Sequence, residues 1–303
     1  MVELAGPGRE AVALVAPEAG ANLFALQLGG REWLRQPADS EALRRGGTGW
    51  GIPVLMPPSR TVAGRFRFGG RDYQLEINTP TGHNLHGLVL RRPWAVEELT
   101  ASAEEARVRL VFRAEAFPEV MAQFPHPFVL TLTYVLSAEG LRCETQIANG
   151  GAEAMPFGLG FHPYFLAPAG SELRVTQAGL WEMVEMIPSG RLVAPEGALD
   201  LSMWQPVHAV RRDHGYALTA AEADGWSLGE LRVSGGTGLV LRASPEFRHW
   251  VIYNGRAEAD GFVCLEPYTC MGNAFNLPEV SGMTVIRAEE TRHAGTWTLA
   301  AMD

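Results

Sequence analysis

Lysine is absent from this sequence of 303 residues: all 25 of its basic side chains are arginines. Pyridoxal-phosphate enzymes and Schiff-base aldolases need a lysine amine that bonds covalently to a carbonyl group. The commonest nucleoside-triphosphate site needs a lysine in its phosphate-binding loop. The composition therefore excludes these three classes of protein.

Cysteine is scarce as well, and the sequence has only Cys143, Cys264 and Cys270. An odd number of cysteines without the spacing of metal ligands does not form a disulfide framework. It is typical of a protein in a reducing compartment. The first ten residues lack the basic flank and apolar run of a secretory signal. No apolar stretch is long enough to span a membrane. These features predict a cytoplasmic protein with no membrane partner.

Positive charge is never concentrated along the chain. The formal net charge is -9, and the longest basic runs are the pairs Arg91-Arg92 and Arg211-Arg212. A protein that binds a phosphate backbone needs a concentrated basic surface, so we expect no nucleic-acid partner. The hydrophobic fraction of 47% is enough for a large core.

Helical periodicity is also rare, and short runs of alternating apolar and polar residues recur along the chain. Such runs are typical of strands with one buried face. The predicted strands include Ala11–Val15, Asn22–Leu28, Arg107–Arg113, Phe128–Leu136, Leu141–Ile147, Glu172–Thr176, Leu239–Ala243, His249–Tyr253, Met283–Arg287 and Thr296–Leu299. One short helix is predicted near Asp39–Arg44. The pattern indicates a single all-β domain over residues 1–303, built from stacked antiparallel sheets, and leaves the oligomeric state open.

One segment places a charged side chain at the end of an apolar run. It reads Phe262-Val-Cys-Leu-Glu266-Pro-Tyr-Thr. We expect a buried strand that Pro267 ends, because proline cannot donate to a sheet ladder. A carboxylate there is costly unless it is paired or used in chemistry. Taken alone, the segment fits equally well a structural role in which the Glu266 carboxylate accepts hydrogen bonds from the backbone amides of a loop.

Two further segments place histidines beside turn-forming or rigid residues. His86 precedes a glycine in Asn-Leu-His86-Gly, and His162 lies between aromatic residues and a proline in Phe-His162-Pro-Tyr-Phe. Each also fits an ordinary structural histidine. His83 and His86 have an offset of three, but no third ligand lies nearby in sequence. We therefore predict no metal site.

Taken in order, these segments resemble the aldose 1-epimerase (galactose mutarotase) family. The resemblance rests on Arg60 after a proline-rich turn, on the two histidine motifs, on Asp213-His-Gly-Tyr and on Leu-Glu266-Pro-Tyr-Thr. It extends from about Asn22 to Leu299. It implies a large antiparallel β-supersandwich of the galactose mutarotase-like type.

The resemblance also implies roles for the matching residues. Glu266 would be the general base and His162 the general acid in the interconversion of α and β anomers of an aldose. The substrate-binding residues would be Arg60, His86, Asp213, Tyr164 and Tyr268, with Phe161 as a further aromatic candidate for stacking on the sugar. Acid–base ring opening requires no metal and no organic cofactor. The expected partner is a small aldose sugar.

Several alternatives remain open. Residues 46–57 resemble the branch that acts on hexose 6-phosphates, but Pro58-Ser-Arg60 departs from that branch. Arg65 and Arg67 are available for a phosphate, although solvated strand arginines explain them too, and we favour an unphosphorylated aldose. A non-catalytic sugar-binding protein on the same fold is a second possibility. Glycan hydrolysis or lyase action is a third, weakened by the lack of a partner carboxylate for Glu266.

Overall fold

Antiparallel strands account for most of the ordered elements in the computed structural model, which describes residues 1–176, 178–233, 235–255 and 261–302. The strands are β1 (Val2–Ala5), β2 (Val12–Ala16), β3 (Asn22–Leu28), β4 (Arg31–Glu32), β5 (Val54–Leu55), β6 (Arg60–Thr61), β7 (Arg65–Phe68), β8 (Arg71–Gln74), β9 (Asn84–Leu85), β10 (Ala95–Ala101), β11 (Glu105–Arg113), β12 (Phe128–Ser137), β13 (Gly140–Asn149), β14 (Met155–Phe157), β15 (Gly160–Phe161), β16 (Phe165–Leu166), β17 (Glu172–Val175), β18 (Ala178–Val184), β19 (Ile187–Val193), β20 (Gln205–Pro206), β21 (Asp213–Leu218), β22 (Ser227–Arg232), β23 (Gly238–Ala243), β24 (His249–Tyr253), β25 (Phe262–Tyr268), β26 (Thr284–Ile286) and β27 (Thr291–Met302). The all-β prediction is confirmed.

Two sheets dominate the architecture. The larger has nine strands in the order β10-β11-β12-β13-β27-β23-β22-β17-β20. The smaller has eight, with β19-β18-β21-β24-β25-β15-β5 in line and β16 paired beside β25. A four-stranded sheet, β1-β2-β3-β4, and three two-stranded ribbons complete the fold.

Helices are short and few in the described part of the chain. The predicted helix is present as α1 (Ser40–Arg45), and the Asp39 side chain caps it by accepting hydrogen bonds from the amides of Glu41 and Ala42 at 3.0 and 2.7 Å. A second helix, α2 (Pro118–Gln123), was not predicted. No helix in the described ranges is long and apolar enough to cross a membrane.

The two large sheets pack face to face over the main hydrophobic core. Trp250 of β24 reaches Gly229 of β22, where an added Cβ would lie 3.1 Å from the indole ring. Phe161 of β15 makes an edge contact with Trp297 of β27, with ring centroids 5.4 Å apart. Leu265 of β25 also approaches Gly229 and so faces this core. Because side chains alternate along a strand, Cys264 and Glu266 project from the opposite face of the smaller sheet.

Pro267 does not end the strand, so this expectation was wrong. β25 continues to Tyr268, and Pro267 lies opposite Trp250 of β24. On its other side, β25 pairs with β16 at Val263 and with β15 at Tyr268, leaving a gap between these two short strands. Proline is tolerated there because the ladder requires no N–H from it.

Candidate active site

Strand β25 carries the carboxylate of the site. Glu266 follows Cys264 by two residues, so both project from the outer face of the smaller sheet. In the neighbouring strands Tyr253 lies opposite Cys264, and Asp213 of β21 lies opposite Tyr253. Residues directly opposite one another share a face, so the ladder places Asp213 on the side of the sheet where Glu266 lies.

His162 reaches the same face from the segment between β15 and β16. This segment is extended and is held by hydrogen bonds from the His162 amide to the Pro53 carbonyl, 3.0 Å, and from the Tyr164 amide to the Gly51 carbonyl, 2.9 Å. Phe161, the preceding residue, points into the core. Alternation along the extended segment therefore directs His162 outward, towards β25.

The structure brings His162 and Glu266 together. Their Nε2 and Oε1 atoms are 3.4 Å apart, and the two residues are only 6% and 1% exposed. Water therefore screens this contact poorly, and proton transfer between the two groups requires little movement. Two side chains separated by about one hundred positions in the sequence thus form one acid–base pair.

Aromatic residues hold both members of the pair in place. The phenol of Tyr268 donates a hydrogen bond to Oε2 of Glu266 at 2.5 Å. The ring of Tyr164 stacks on the imidazole of His162, with centroids 4.6 Å apart and an interplanar angle of 4°. Both tyrosines therefore contact the pair, while their predicted stacking on sugar stays a prediction. Phe161 is a core residue and does not line the site.

His86 and Arg60 approach from a second direction. Arg60 lies opposite Leu85 in the β6–β9 ribbon, and the His86 amide donates to the Ser59 carbonyl at 2.9 Å. His86 has a φ of +67°, which is uncommon for a residue with a side chain, and Gly87 follows at +69°. A Cβ on Gly87 would lie 1.9 Å from the Met56 carbonyl oxygen, so only glycine fits. This turn brings the His86 ring within 5.5 Å of the His162 ring.

His83 does not join this group. Its Nδ1 accepts a hydrogen bond from the Ala63 amide at 3.1 Å, which gives it a structural role in the ribbon. The offset of three between His83 and His86 therefore does not place both rings at one site.

Burial shifts the pKa values of the pair in opposite directions. Burial raises the pKa of Glu266 well above its usual range, Asp213 raises it further, and the hydrogen bond from Tyr268 opposes the rise. Burial lowers the pKa of His162 to about 3. Both shifts favour uncharged side chains. The two shifts therefore favour the form of the pair in which its one titratable proton is on Glu266 and the imidazole is neutral.

The positive charge of Arg60 acts on both His86 and Asp213. Burial raises the pKa of Asp213, and Arg60 and Arg211 oppose that rise. Burial lowers the pKa of His86 well below its usual value, and His162, Arg60 and Arg91 lower it further. His86 is therefore neutral, and it can donate or accept one hydrogen bond from a hydroxyl. Within the described residues the Arg60 guanidinium has no hydrogen bond or ion pair.

Arg91 is a residue near the site that sequence reasoning missed. It lines a cavity of about 80 Å³ whose other lining residues include Thr48, Glu76, Asn78, Leu85 and His86, so one carboxylate is also present there. The Arg91 guanidinium lies close to Gly47: a Cβ atom added to Gly47 would be 3.1 Å from Nε of Arg91. Within the described ranges the guanidinium has no anionic partner.

Arg65 and Arg67, the predicted phosphate candidates, are engaged elsewhere. Arg65 donates to the Gln74 side chain at 2.8 Å, and Arg67 forms an exposed ion pair with Asp72 at 3.6 Å. Both contacts lie within the β7–β8 ribbon. In the described part of the chain neither arginine contacts the acid–base pair, so Arg91 is the better placed cation.

Comparisons with known proteins identify the family and the fold of this chain. The family model for aldose 1-epimerase matches residues 5–295. The uncharacterized Escherichia coli K12 protein YihR is 28% identical over 242 residues, covering 74% of this chain and 71% of its own. The uncharacterized protein YphB of the same organism is 26% identical over 253 residues, covering 79% and 80%.

A solved structure has the same fold over nearly the whole chain. The crystal structure of a galactose mutarotase-like protein from Clostridium acetobutylicum superposes with a TM-score of 0.90 at 25% identity, covering 97% of this chain and 93% of that protein. The antiparallel sheets described above are those of the galactose mutarotase-like fold. Because the family model extends over almost the entire sequence, the chain belongs to the aldose 1-epimerase family.

Proposed function

We propose that this protein is an aldose 1-epimerase that interconverts the α and β anomers of a free hexose. The observation that carries the proposal is the 3.4 Å contact between Nε2 of His162 and Oε1 of Glu266 in a buried setting. A carboxylate and an imidazole held together away from water are costly to a fold. Such groups are concentrated at catalytic sites, where their shifted pKa values are used.

The reaction proceeds by opening and closing the sugar ring. Glu266 removes the proton of the C1 hydroxyl while His162 protonates the ring oxygen, and the C1–O5 bond breaks to give an aldehyde. Rotation about the C1–C2 bond presents the other face of the carbonyl, and the two transfers then run in reverse. The protons balance over the cycle, so the residues return to their starting state without an added reagent.

The single proton of the pair provides the charged form that this reaction needs. Its transfer from Glu266 to His162 creates a carboxylate and an imidazolium side by side. The Tyr268 hydrogen bond stabilises the carboxylate. Arg60, His86 and Asp213 would hold the sugar hydroxyls, as their family positions imply.

Polarimetry on freshly dissolved α-glucose and α-galactose tests the proposal. We expect catalysed anomerisation of at least one of them. Glu266→Gln and His162→Asn preserve side-chain size and should each reduce kcat/KM by about 10²–10⁴-fold, the usual contribution of one positioned proton transfer. Sugar binding by calorimetry with no rate above that of buffer would instead favour a non-catalytic sugar-binding protein.

A second candidate substrate is an aldose that carries an anionic group, such as a hexose 6-phosphate. The specific observation in its favour is Arg91, which lines a cavity next to His86. Guanidinium groups bind phosphate and carboxylate well. We favour the free hexose, because the cavity of about 80 Å³ is small and Arg91 is exposed to water.

We place this activity in the cytoplasm. The three cysteines are free and buried, which supports a reducing compartment.

A further inference from the structure

A third ionisable side chain faces the acid–base pair without a role in the proposed reaction. This residue is Cys264, whose thiol projects from the same face of β25 as Glu266. One ligand atom each from Cys264, His162 and Glu266 lie within 4.8 Å of one another. All three residues are buried. They are the one group of His, Cys, Asp or Glu in the described chain arranged closely enough to share a metal ion.

The polar atoms of this group have unused bonding capacity. Oε1 of Glu266 is fully buried and makes no hydrogen bond, and its contact with Nε2 of His162 is an ion-pair distance of 3.4 Å. Buried polar atoms of native proteins are usually paired, so unpaired ones indicate a missing ligand. The other carboxylate oxygen, Oε2, is fixed by Tyr268. A carboxylate with one oxygen oriented by a second residue and the other oxygen free has the arrangement of a one-atom metal ligand.

The chemistry of the three donors selects the ion. Thiolate, imidazole and carboxylate together are typical ligands of Zn²⁺, whereas Mg²⁺ and Ca²⁺ take oxygen donors. Two anionic ligands and one neutral ligand also cancel a charge of +2. A neutral complex avoids the large cost of placing net charge in a buried site.

The distances between the three ligand atoms are close to those of a zinc site, so binding requires only a modest movement of the side chains. Ligand atoms about 2.0–2.3 Å from a tetrahedral Zn²⁺ are about 3.5 Å from one another. The present spacing of up to 4.8 Å therefore closes by about 1 Å, which side-chain rotation of Cys264 and His162 can supply. The strand pairing of β25 with β24 fixes the backbone positions of Cys264 and Glu266.

We propose that Cys264, His162 and Glu266 form an inhibitory site for a thiophilic divalent cation such as Zn²⁺ or Cd²⁺. On binding, the ion replaces the thiol and carboxyl protons, which leave to solvent, and no oxidation occurs. Coordination occupies the carboxylate and the imidazole and so removes both proton-transfer groups. The inhibitory consequence rests on the proposed epimerase activity, whereas the binding site itself does not.

Cadmium titration of the purified, reduced and metal-free full-length protein tests the site directly. We expect a thiolate-to-Cd²⁺ charge-transfer band in the ultraviolet that saturates at one ion per chain. Cys264→Ala should remove the band or weaken affinity at least about 100-fold, because losing a direct ligand costs more than losing an outer partner. Cys143→Ala, which removes another buried free cysteine on β13, is the matched variant and should retain the band. Cys264→Ser serves the same purpose if the alanine variant does not fold.

Activity measurements then test the consequence. Zn²⁺ should inhibit the wild-type protein and the Cys143→Ala variant reversibly, with recovery on chelation. Each variant is compared with its own metal-free rate, and the Cys264 variants should resist inhibition at least about 100-fold better. Absence of the band in wild type at a large molar excess of Cd²⁺, or equal affinity in Cys264→Ala, would overturn the site. A protein with the band but no epimerase activity would refute the proposed function and leave the metal site standing.

Discussion

Tyr268 donates its phenolic hydrogen to Oε2 of Glu266, two residues earlier on the same strand, across 2.5 Å. The contact follows from alternation, because residues two apart on a strand share a face. It opposes the rise in the pKa of Glu266 that burial causes. Tyr268 thus acts on the proposed base, and it is a positioning residue in the structure as described.

Removing this hydroxyl should therefore lower activity and change its pH dependence. Tyr268→Phe leaves the ionised carboxylate less stable, so the pKa of Glu266 rises further and the rate near neutral pH falls about tenfold or more. The fall in rate at alkaline pH, where the pair loses its single proton, should also move to higher pH, because the pKa for that loss rises. Tyr134→Phe, which removes a buried hydroxyl that donates to the Ala21 carbonyl, should leave the pH–rate profile unchanged. Equal profiles for the wild type and Tyr268→Phe would contradict the positioning role.

The acid side of the pH–rate profile offers a second prediction. The pair loses activity when it binds a second proton, and burial lowers the pKa of His162 from 6.5 to about 3. The second proton therefore binds only in strongly acidic solution, and kcat/KM should stay level as pH falls through 6.5. The two groups are coupled, so the profile reports the pair and not either residue alone. Stopped-flow polarimetry measures the rate, and circular dichroism at each pH verifies that the protein remains folded. A half-maximal rate near pH 6.5 would show that His162 titrates as an exposed histidine.

Much of the fold was predictable because the alternation of apolar and polar residues along a strand is a local property of the sequence. Asn22–Leu28 and His249–Tyr253 have the predicted bounds, and the strands from Glu105 to Asn149 extend the predicted ones by a few residues. β10 (Ala95–Ala101) was missed because it is an edge strand exposed on both faces, so its side chains show no alternation. β21 was missed because it begins with the polar residues of the Asp213 motif.

The site was predictable only in part. The resemblance identified His162 and Glu266, but their contact depends on sheet topology that joins residues distant in sequence. Arg91 and Arg92 look equivalent in the sequence. In the fold both line the cavity beside His86, but Arg92 pairs with Glu119 at 3.0 Å, whereas Arg91 has no anionic partner among the described residues. The direction of a side chain after a tight turn is set by tertiary contacts, which neither composition nor spacing records.

Gly160 tests how closely the site depends on packing. A Cβ at this position would lie 2.5 Å from Cδ1 of Tyr268 and 2.8 Å from Cβ of Pro58. Gly160→Ala should therefore displace the Tyr268 ring from Glu266 and reduce kcat by about tenfold or more. Gly179→Ala in β18, where the nearest atom is 3.6 Å away, is the matched change in the same sheet and should be tolerated. Wild-type activity in Gly160→Ala would show that the position of the Tyr268 ring is unimportant.

Arg91 gives the sharpest test of substrate charge. Its guanidinium has no anionic partner in the described ranges and lies beside the cavity that adjoins His86, so an anionic group on the sugar would be held there. We expect Arg91→Gln to lower the ratio of kcat/KM for hexose 6-phosphate to that for the free hexose by about tenfold, chiefly through KM. Arg67→Gln removes an exposed arginine that pairs with Asp72 and should leave the ratio unchanged. An unchanged ratio in Arg91→Gln would remove the structural argument for a phosphorylated substrate. Among the described arginines only Arg92 also lines that cavity, and Arg92 is already paired with Glu119.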